Sequence, residues 1–182
     1  MSDYSDKELL TLFKNQEKRN YAFNLIVRKY QEKLYWHIRK IVIKHDDADD
    51  ILQNTFIKIW KGLDGFREDS KLYTWLYRIA TNESLTFLKQ KKTKYLLSIV
   101  DYENQLKETL ESDEHFNGTE IQLKLQKAIL GLPEKQRIVF NMKYFEEMKY
   151  DDMAQVLNTS VGALKASYHH AVKKIENYFK ED

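Results

Sequence analysis

The stretch "KYDDMAQVLNTSVGALKASYHHAVKKIENYF", Lys149–Phe179, decides the reading of the fold. A short apolar-periodic segment with Met153, Ala154, Val156 and Leu157 runs into a polar turn, Asn158 and Thr159. A longer periodic segment starts at Val161, and Ser160 stands where its hydroxyl can cap that second helix. This is the shape of a helix-turn-helix. At one residue per 100°, Val161, Leu164, Tyr168, Val172, Ile175 and Phe179 fall in one narrow arc, which predicts a core face. The opposite arc holds Ala163, Ala166, Ser167, His170, Lys173 and Lys174, flanked by Lys165 and His169. Small residues at the start of such a face let a helix approach a groove, and basic residues further on can meet phosphates. Alanine can also touch a thymine methyl. Taken alone, the same arc fits a plain solvent face equally well.

The adjacent His169 and His170 raise a metal site as a rival reading. Neighbours on a helix point about 100° apart, whereas helical metal pairs use i, i+4 spacing. No carboxylate or histidine lies four residues from either ring, so no metal ligand is assigned here.

Working outward, the rest of the chain is helical in pattern. It has 182 residues with five Gly, one Pro and no Cys, and 42% of it is hydrophobic. So few breakers, with apolar residues at helical steps, predict an all-α fold. The absence of Cys excludes disulfides, thiolate metal sites and cysteine nucleophiles. "MSDYSDKELL" carries acids early and no long apolar run, and no run approaches the ~18 apolar residues that a membrane span needs. A cytoplasmic location without membrane insertion is therefore expected.

Four further helices are expected before the charge pattern changes. Ser5 and Glu8 have capping-box spacing for a short one. Tyr21 to Lys44 carries a stripe of Phe23, Ile26, Tyr30, Leu34, Ile38 and Ile41. "DDADDILQNTFIKIW" restarts a helix with Asp46 or Asp47 as its cap. Its core face is Ile51, Leu52, Phe56, Ile59 and Leu63, and Asp49, Asp50, Gln53 and Asn54 are left near the opposite side. After a loop, "GLDGFREDSK", the helix "LYTWLYRIATNESLTFLKQKKTK" offers Leu72, Trp75, Leu76, Ile79, Phe87 and Leu88 for packing.

Charge is blocked along the chain although the net value is +2. Lys71 to Tyr95 holds six Lys or Arg against Glu83, and Leu96 to Glu120 holds seven acids against Lys107. The acidic block has weak periodicity and reads as a linker. The chain is thus expected to form two small helical domains, residues 1–95 and 120–182, joined by an acidic linker over 96–119. In the second domain, "IQLKLQKAILGL" is expected to pack through Ile121, Leu125, Ile129 and Leu132, with Pro133 opening the next helix.

The aspartate cluster of residues 46–50 lacks the alternating pattern of a calcium loop, and no P-loop, nucleophile elbow or HExxH occurs. An acidic patch for a basic protein partner is the better reading, and no catalytic residue, metal or cofactor is assigned. Tyr73, Trp75 and Tyr77, with Arg78, Asn82, Lys89, Lys91 and Lys92, have the composition of a surface for single-stranded nucleic acid. Alternate aromatics on one helix cannot all face one way, so Arg78, Asn82 and the lysines are the stronger contacts.

Four segments together resemble the extracytoplasmic-function class of sigma-70 family RNA polymerase sigma factors. "AFNLIVRKYQEKLY" and "DDADDILQNTFIKIW" are similar to the polymerase-binding part of region 2. "KLYTWLYRIATNESLTFLKQKK" is similar to its promoter-melting part, W-L-x-x-I-A-x-N with a basic tail. "LPEKQRIVFNMKYFEEMKYDDMAQVLNTSVGALKASYHHAVKKI" is similar to region 4. The resemblance implies a non-enzymatic factor that binds core RNA polymerase, at clamp and flap, and directs initiation at promoter DNA, duplex and single-stranded. It implies that Asp49, Asp50, Gln53 and Asn54 dock on the clamp. Arg78, Asn82, Lys89, Lys91 and Lys92 would engage the minus-ten element, and the loop Phe66 to Lys71 would capture an unstacked base. Ser160, Ala163, Lys165, Ala166, Ser167, His169, His170, Lys173 and Lys174 would meet the minus-thirty-five element. The linker would run through the RNA-exit path, and an anti-sigma factor is the implied regulator.

The sequence departs from the family pattern where Ser167 and His170 replace two signature arginines. Thr86 and Lys89 stand where Asp and Arg are common. Two rivals differ in class: a stand-alone helix-turn-helix regulator, normally a dimer on a palindromic site, and a metal-dependent enzyme acting on nucleotides.

Overall fold

A computed structural model describes residues 4–95 and 119–180. The described residues form eight α-helices and one short 3-10 turn. The expected acidic linker, apart from Thr119, lies outside them.

The first half is built from α1 (Asp6–Lys14), α2 (Arg19–Val42), α3 (His45–Gly62) and α4 (Leu72–Tyr95). Helix α1 starts with the expected capping box: Ser5 Oγ accepts from the Glu8 N–H while Glu8 reaches back to the Ser5 N–H. Ile26, Leu34 and Ile38 on α2 are fully buried, as the stripe predicts. Helix α2 ends at Ile43, which takes φ +68°, a conformation that β-branched residues rarely adopt. Burial of its side chain in the core fixes that turn. The cap of α3 differs from expectation: Lys44 is the N-cap residue, and Asp46 and Asp47 fall inside the first turn. There they still meet the positive end of the helix dipole, and Asp47 reaches Lys91 of α4 at 2.6 Å.

The second half comprises α5 (Glu120–Leu130), α6 (Glu134–Tyr144), α7 (Tyr150–Leu157) and α8 (Val161–Lys180). Thr119 and Gln122 form a second capping box at the start of α5. Ile121, expected in the core, is 73% exposed. It lies in the first turn of α5, ahead of the part of that helix that packs on α8 through Ala128 and Ile129. Pro133 is the N-cap residue of α6, just outside the position expected for it.

The two halves share one continuous core. Leu72, Leu76 and their neighbours join Leu130, Ile138, Val139, Met142, Met153, Val156 and Leu164. Helix α4 packs on α2 and α3 with one face and on α7 with another. This double burial explains why Thr74, Thr81 and Ser84 are covered on a helix whose sequence shows a single apolar stripe. Thr81 and Ser84 satisfy their hydroxyls on carbonyls one turn back, at 2.7 and 2.8 Å. A smaller cluster of Ala128, Ile129, Leu132, Phe140, Ala171 and Ile175 holds α5, α6 and α8 together.

Leu34 sits in the middle of α2 with no exposure. Leu34→Ala should lower the unfolding free energy by about 2–5 kcal/mol, measured by urea denaturation with helical circular dichroism as the signal.

Candidate nucleic-acid interface

The helix-turn-helix forms as the sequence requires. Asn158 takes the left-handed conformation that ends α7, with φ +48°. Ser160 Oγ accepts from the Ala163 N–H at 3.2 Å and starts α8. Leu164, Ala171 and Ile175 are buried, so Ala171 joins the core face that the periodicity assigned to larger residues. Lys165, Ala166, His169, His170, Lys173 and Lys174 are exposed, whereas Ala163 and Ser167 are half covered. The outer face of α8 is therefore centred one step round from the predicted arc. The His169 and His170 rings stand 5.9 Å apart and tilted by 60°, not converging on one point.

On α4, Arg78, Asn82 and Lys89 are exposed along its length. Phe66 in the preceding loop packs on Trp75, with ring centroids 5.0 Å apart. Gly62 lies under the same indole; a Cβ there would stand 3.1 Å from Trp75 Cζ2. Phe66, Trp75 and Arg78 line a cleft of about 590 Å³ closed on its other side by Ala154, Gln155 and Asn158 of the second half.

The remaining predicted cations of this surface are engaged by carboxylates. Lys71 Nζ donates to Asp152 at 2.9 and 3.1 Å, and Thr74 Oγ1 donates to the same carboxylate at 3.2 Å. Lys92 pairs with Glu134 at 2.8 Å, and Lys91 with Asp47. Two of these three acids, Asp152 and Glu134, come from the second half. Asp152 is almost fully buried, and its two donors supply the hydrogen bonds that a covered carboxylate requires. Sequence reasoning missed it, although its position four residues before the buried Val156 places both on one face of α7.

Helix α3 presents a separate surface. Asp50, Gln53 and Asn54 are exposed on one side with Ile57, which is 52% exposed. Asp49 is half covered and lies 3.4 Å from His45 Nε2. A single open apolar side chain is ordinary on a protein surface, and this mixed face is also compatible with a protein contact.

The junction of the halves also shifts titration. Tyr73 and Tyr77 of α4 and Tyr30 of α2 are all pushed well above the ordinary phenol range, first by burial. The charge of Glu146 adds to the effect on Tyr73 and Tyr77, and a hydrogen bond to Asp6 adds to that on Tyr30. Burial pulls the Lys40 ammonium below the usual lysine range, and Glu146 partly offsets this.

Comparison with known proteins identifies the family. Residues 26–94 match the sigma-70 region 2 family and residues 122–175 match sigma-70 region 4. The chain is 31% identical to the RNA polymerase sigma-H factor of Pseudomonas aeruginosa, over 97% of this chain and 94% of that one. It is 29% identical to the ECF RNA polymerase sigma factor SigW of Bacillus subtilis, over 88% of this chain and 90% of that one. It is 31% identical to the ECF RNA polymerase sigma-E factor of Escherichia coli K12, over 86% and 85%. Two solved structures share the fold. CnrH in complex with the cytosolic domain of CnrY has a TM-score of 0.69 at 23% identity, covering 97% of this chain and 98% of that one. The sigma factor RpoE with the anti-sigma factor NepR from Bartonella quintana has a TM-score of 0.69 at 22% identity, covering 88% and 98%. The chain belongs to the sigma-70 family of RNA polymerase sigma factors, in its extracytoplasmic-function class, and is a transcription initiation factor rather than an enzyme. Among the described residues no helix is long and apolar enough to cross a membrane.

Tyr73 and Tyr77, which Glu146 faces, give a direct check on the closed junction, while Tyr30, bonded to Asp6, reports on the first half. Their acidity is suppressed in the fold, so their contribution to stability is complete below pH 10.0, the ordinary phenol value, and is lost as pH rises above it. In an ultraviolet titration at about pH 11, Tyr30, Tyr73 and Tyr77 should stay neutral in the native protein and ionise once denaturant is added.

Proposed function

We propose that this sigma factor binds core RNA polymerase at its clamp and flap, recognises a two-part promoter and helps open it, working in the cytoplasm. The observation that carries the reading is the presence, on one chain, of an exposed polar-apolar face on α3 and an exposed basic face on α8. A regulator acting on duplex DNA alone would use the first face only to dimerise, whereas the region 2 match over residues 26–94 supports a polymerase contact there.

In this reading residues 1–95 are region 2, 96–119 a linker and 120–182 region 4. Asp49, Asp50, Gln53 and Asn54 dock on the polymerase clamp, with Ile57 adding apolar contact. Arg78, Asn82 and Lys89 meet the minus-ten strand, joined by Lys71, Lys91 and Lys92 once their carboxylate partners let go. The cleft beside Phe66 and Trp75 receives an unstacked base, whose capture offsets part of the cost of opening the duplex. The outer face of α8, from Ser160 and Ala163 through Lys165, Ala166, Ser167, His169 and His170 to Lys173 and Lys174, meets the minus-thirty-five element. With Ser167 and His170 in place of arginines, shape and phosphate contacts carry more of the affinity than bidentate pairing with guanine. The acidic linker passes along a channel built for RNA. An anti-sigma factor, as in the complex of RpoE with NepR, is the regulator.

The test is transcription in vitro with core polymerase over genomic DNA, with start sites mapped. Defined start sites that depend on the added chain are expected, and their absence refutes the reading. Within that assay, reversing charge with Asp50→Lys should weaken the affinity for core enzyme at least tenfold, measured by fluorescence anisotropy. Lys89→Gln should reduce the salt slope of promoter binding by about 0.7–0.9.

A further inference from the structure

The two halves meet at a covered contact between a histidine and a glutamate. The side chain of His37, on α2, is 1% exposed, and that of Glu146, in the segment after α6, is 8% exposed. His37 Nδ1 lies 2.9 Å from Glu146 Oε1, and Nε2 lies 2.8 Å from Thr81 Oγ1. The Thr81 hydroxyl has a single proton, and its oxygen stands 2.7 Å from the Tyr77 carbonyl, which can only accept. With that proton on the carbonyl, Thr81 faces His37 as an acceptor. The carboxylate faces it as a second acceptor. Both ring nitrogens then donate, which only an imidazolium does.

Charge compensation favours the same state. Lys40 also stands near Glu146, with its Nζ 4.0 Å from Oε1. Glu146 Oε2 is buried and has no hydrogen-bond partner. A carboxylate covered in this way needs a full positive charge at contact distance.

We propose that closure of the two halves is linked to one proton: the His37 imidazolium is held between Thr81 of region 2 and Glu146 of region 4, so closure is favoured with the ring charged and weakened as it is discharged. The other titratable groups at the contact are Lys40, Glu32 and Lys33 of α2, Tyr73 and Tyr77 of α4, Glu147 beside Glu146, and Asp152 of α7. The two tyrosines stay neutral across the relevant range.

The sign follows from the free groups. A free imidazole loses its proton near pH ~6.5 and a free glutamate gains one near ~4.3. Between those values the open and closed forms carry the same protons and closure is strongest. Above the upper one, closing takes up a proton, and its equilibrium constant falls by up to about tenfold per pH unit. Opening would uncover Lys71 and the cleft beside Phe66, since Asp152, Ala154, Gln155 and Asn158 leave with region 4. The proton linkage itself does not depend on what those groups bind.

The experiment is imidazole nitrogen NMR on the full-length chain, without polymerase or DNA, as pH is raised. The His37 signals are assigned by their loss in His37→Gln. In the wild type, both His37 nitrogens should still read as protonated at about pH 7.5, one unit above the free ring. In Glu146→Gln, the amide N–H can donate to a bare Nδ1 while Nε2–H keeps its bond to Thr81, so the ring should read as singly protonated there. A singly protonated His37 in the wild type at that pH overturns the proposal, and so does an unchanged titration in Glu146→Gln. Should that variant fail to fold, the wild-type titration decides alone.

Discussion

Helix α4 is packed on two faces inside one continuous core, and the rest of the structure follows from that constraint. One face closes the bundle with α2 and α3. The face carrying Thr74 takes α7, whose Asp152 is buried against it. A helix covered on two sides has only a narrow strip left for solvent, and that strip holds Arg78, Asn82 and Lys89. The polar groups that cannot reach the strip are hydrogen-bonded inside: Thr81 to a carbonyl and to His37, Ser84 to a carbonyl, Thr74 to Asp152. Leaving any of these unpaired would cost on the order of 1–3 kcal/mol, so the packing of the two halves and the polar network are specified together.

Much of the fold was legible because its signals are local. The capping box at Ser5, the stripe of α2 and the polar turn before Ser160 each rest on residues within a few positions of one another. Helix boundaries were less so. Asp46 has the right chemistry for a cap, but Lys44, two residues earlier, takes that place because the chain already turns at Ile43, which is buried with positive φ. Ile121 has core chemistry and an exposed place, since burial is decided by which turn of α5 meets α8.

The candidate interfaces divide along the same line. Exposure of Asp50, Gln53, Asn54 and Arg78 follows from helical phase, which one sequence supplies. The engagement of Lys71 by Asp152 and of Lys92 by Glu134 joins residues 81 and 42 positions apart. No periodicity encodes such a pairing. Nor did the pattern of α2 distinguish His37, a single polar residue beside a long apolar stripe, from an ordinary surface histidine.

The carboxylates on Lys71 and Lys92 change what nucleic-acid binding would mean for those side chains. A lysine in free solution meets a phosphate by condensation, displacing small ions. A lysine already held by a carboxylate meets it by exchange, one anion for another. Salt screens both partners of the exchange, so the two dependences partly cancel. These positions would then report less ionic-strength sensitivity than exposed Lys89, and their selectivity would rest on which oxygen anion offers the better geometry rather than on charge alone.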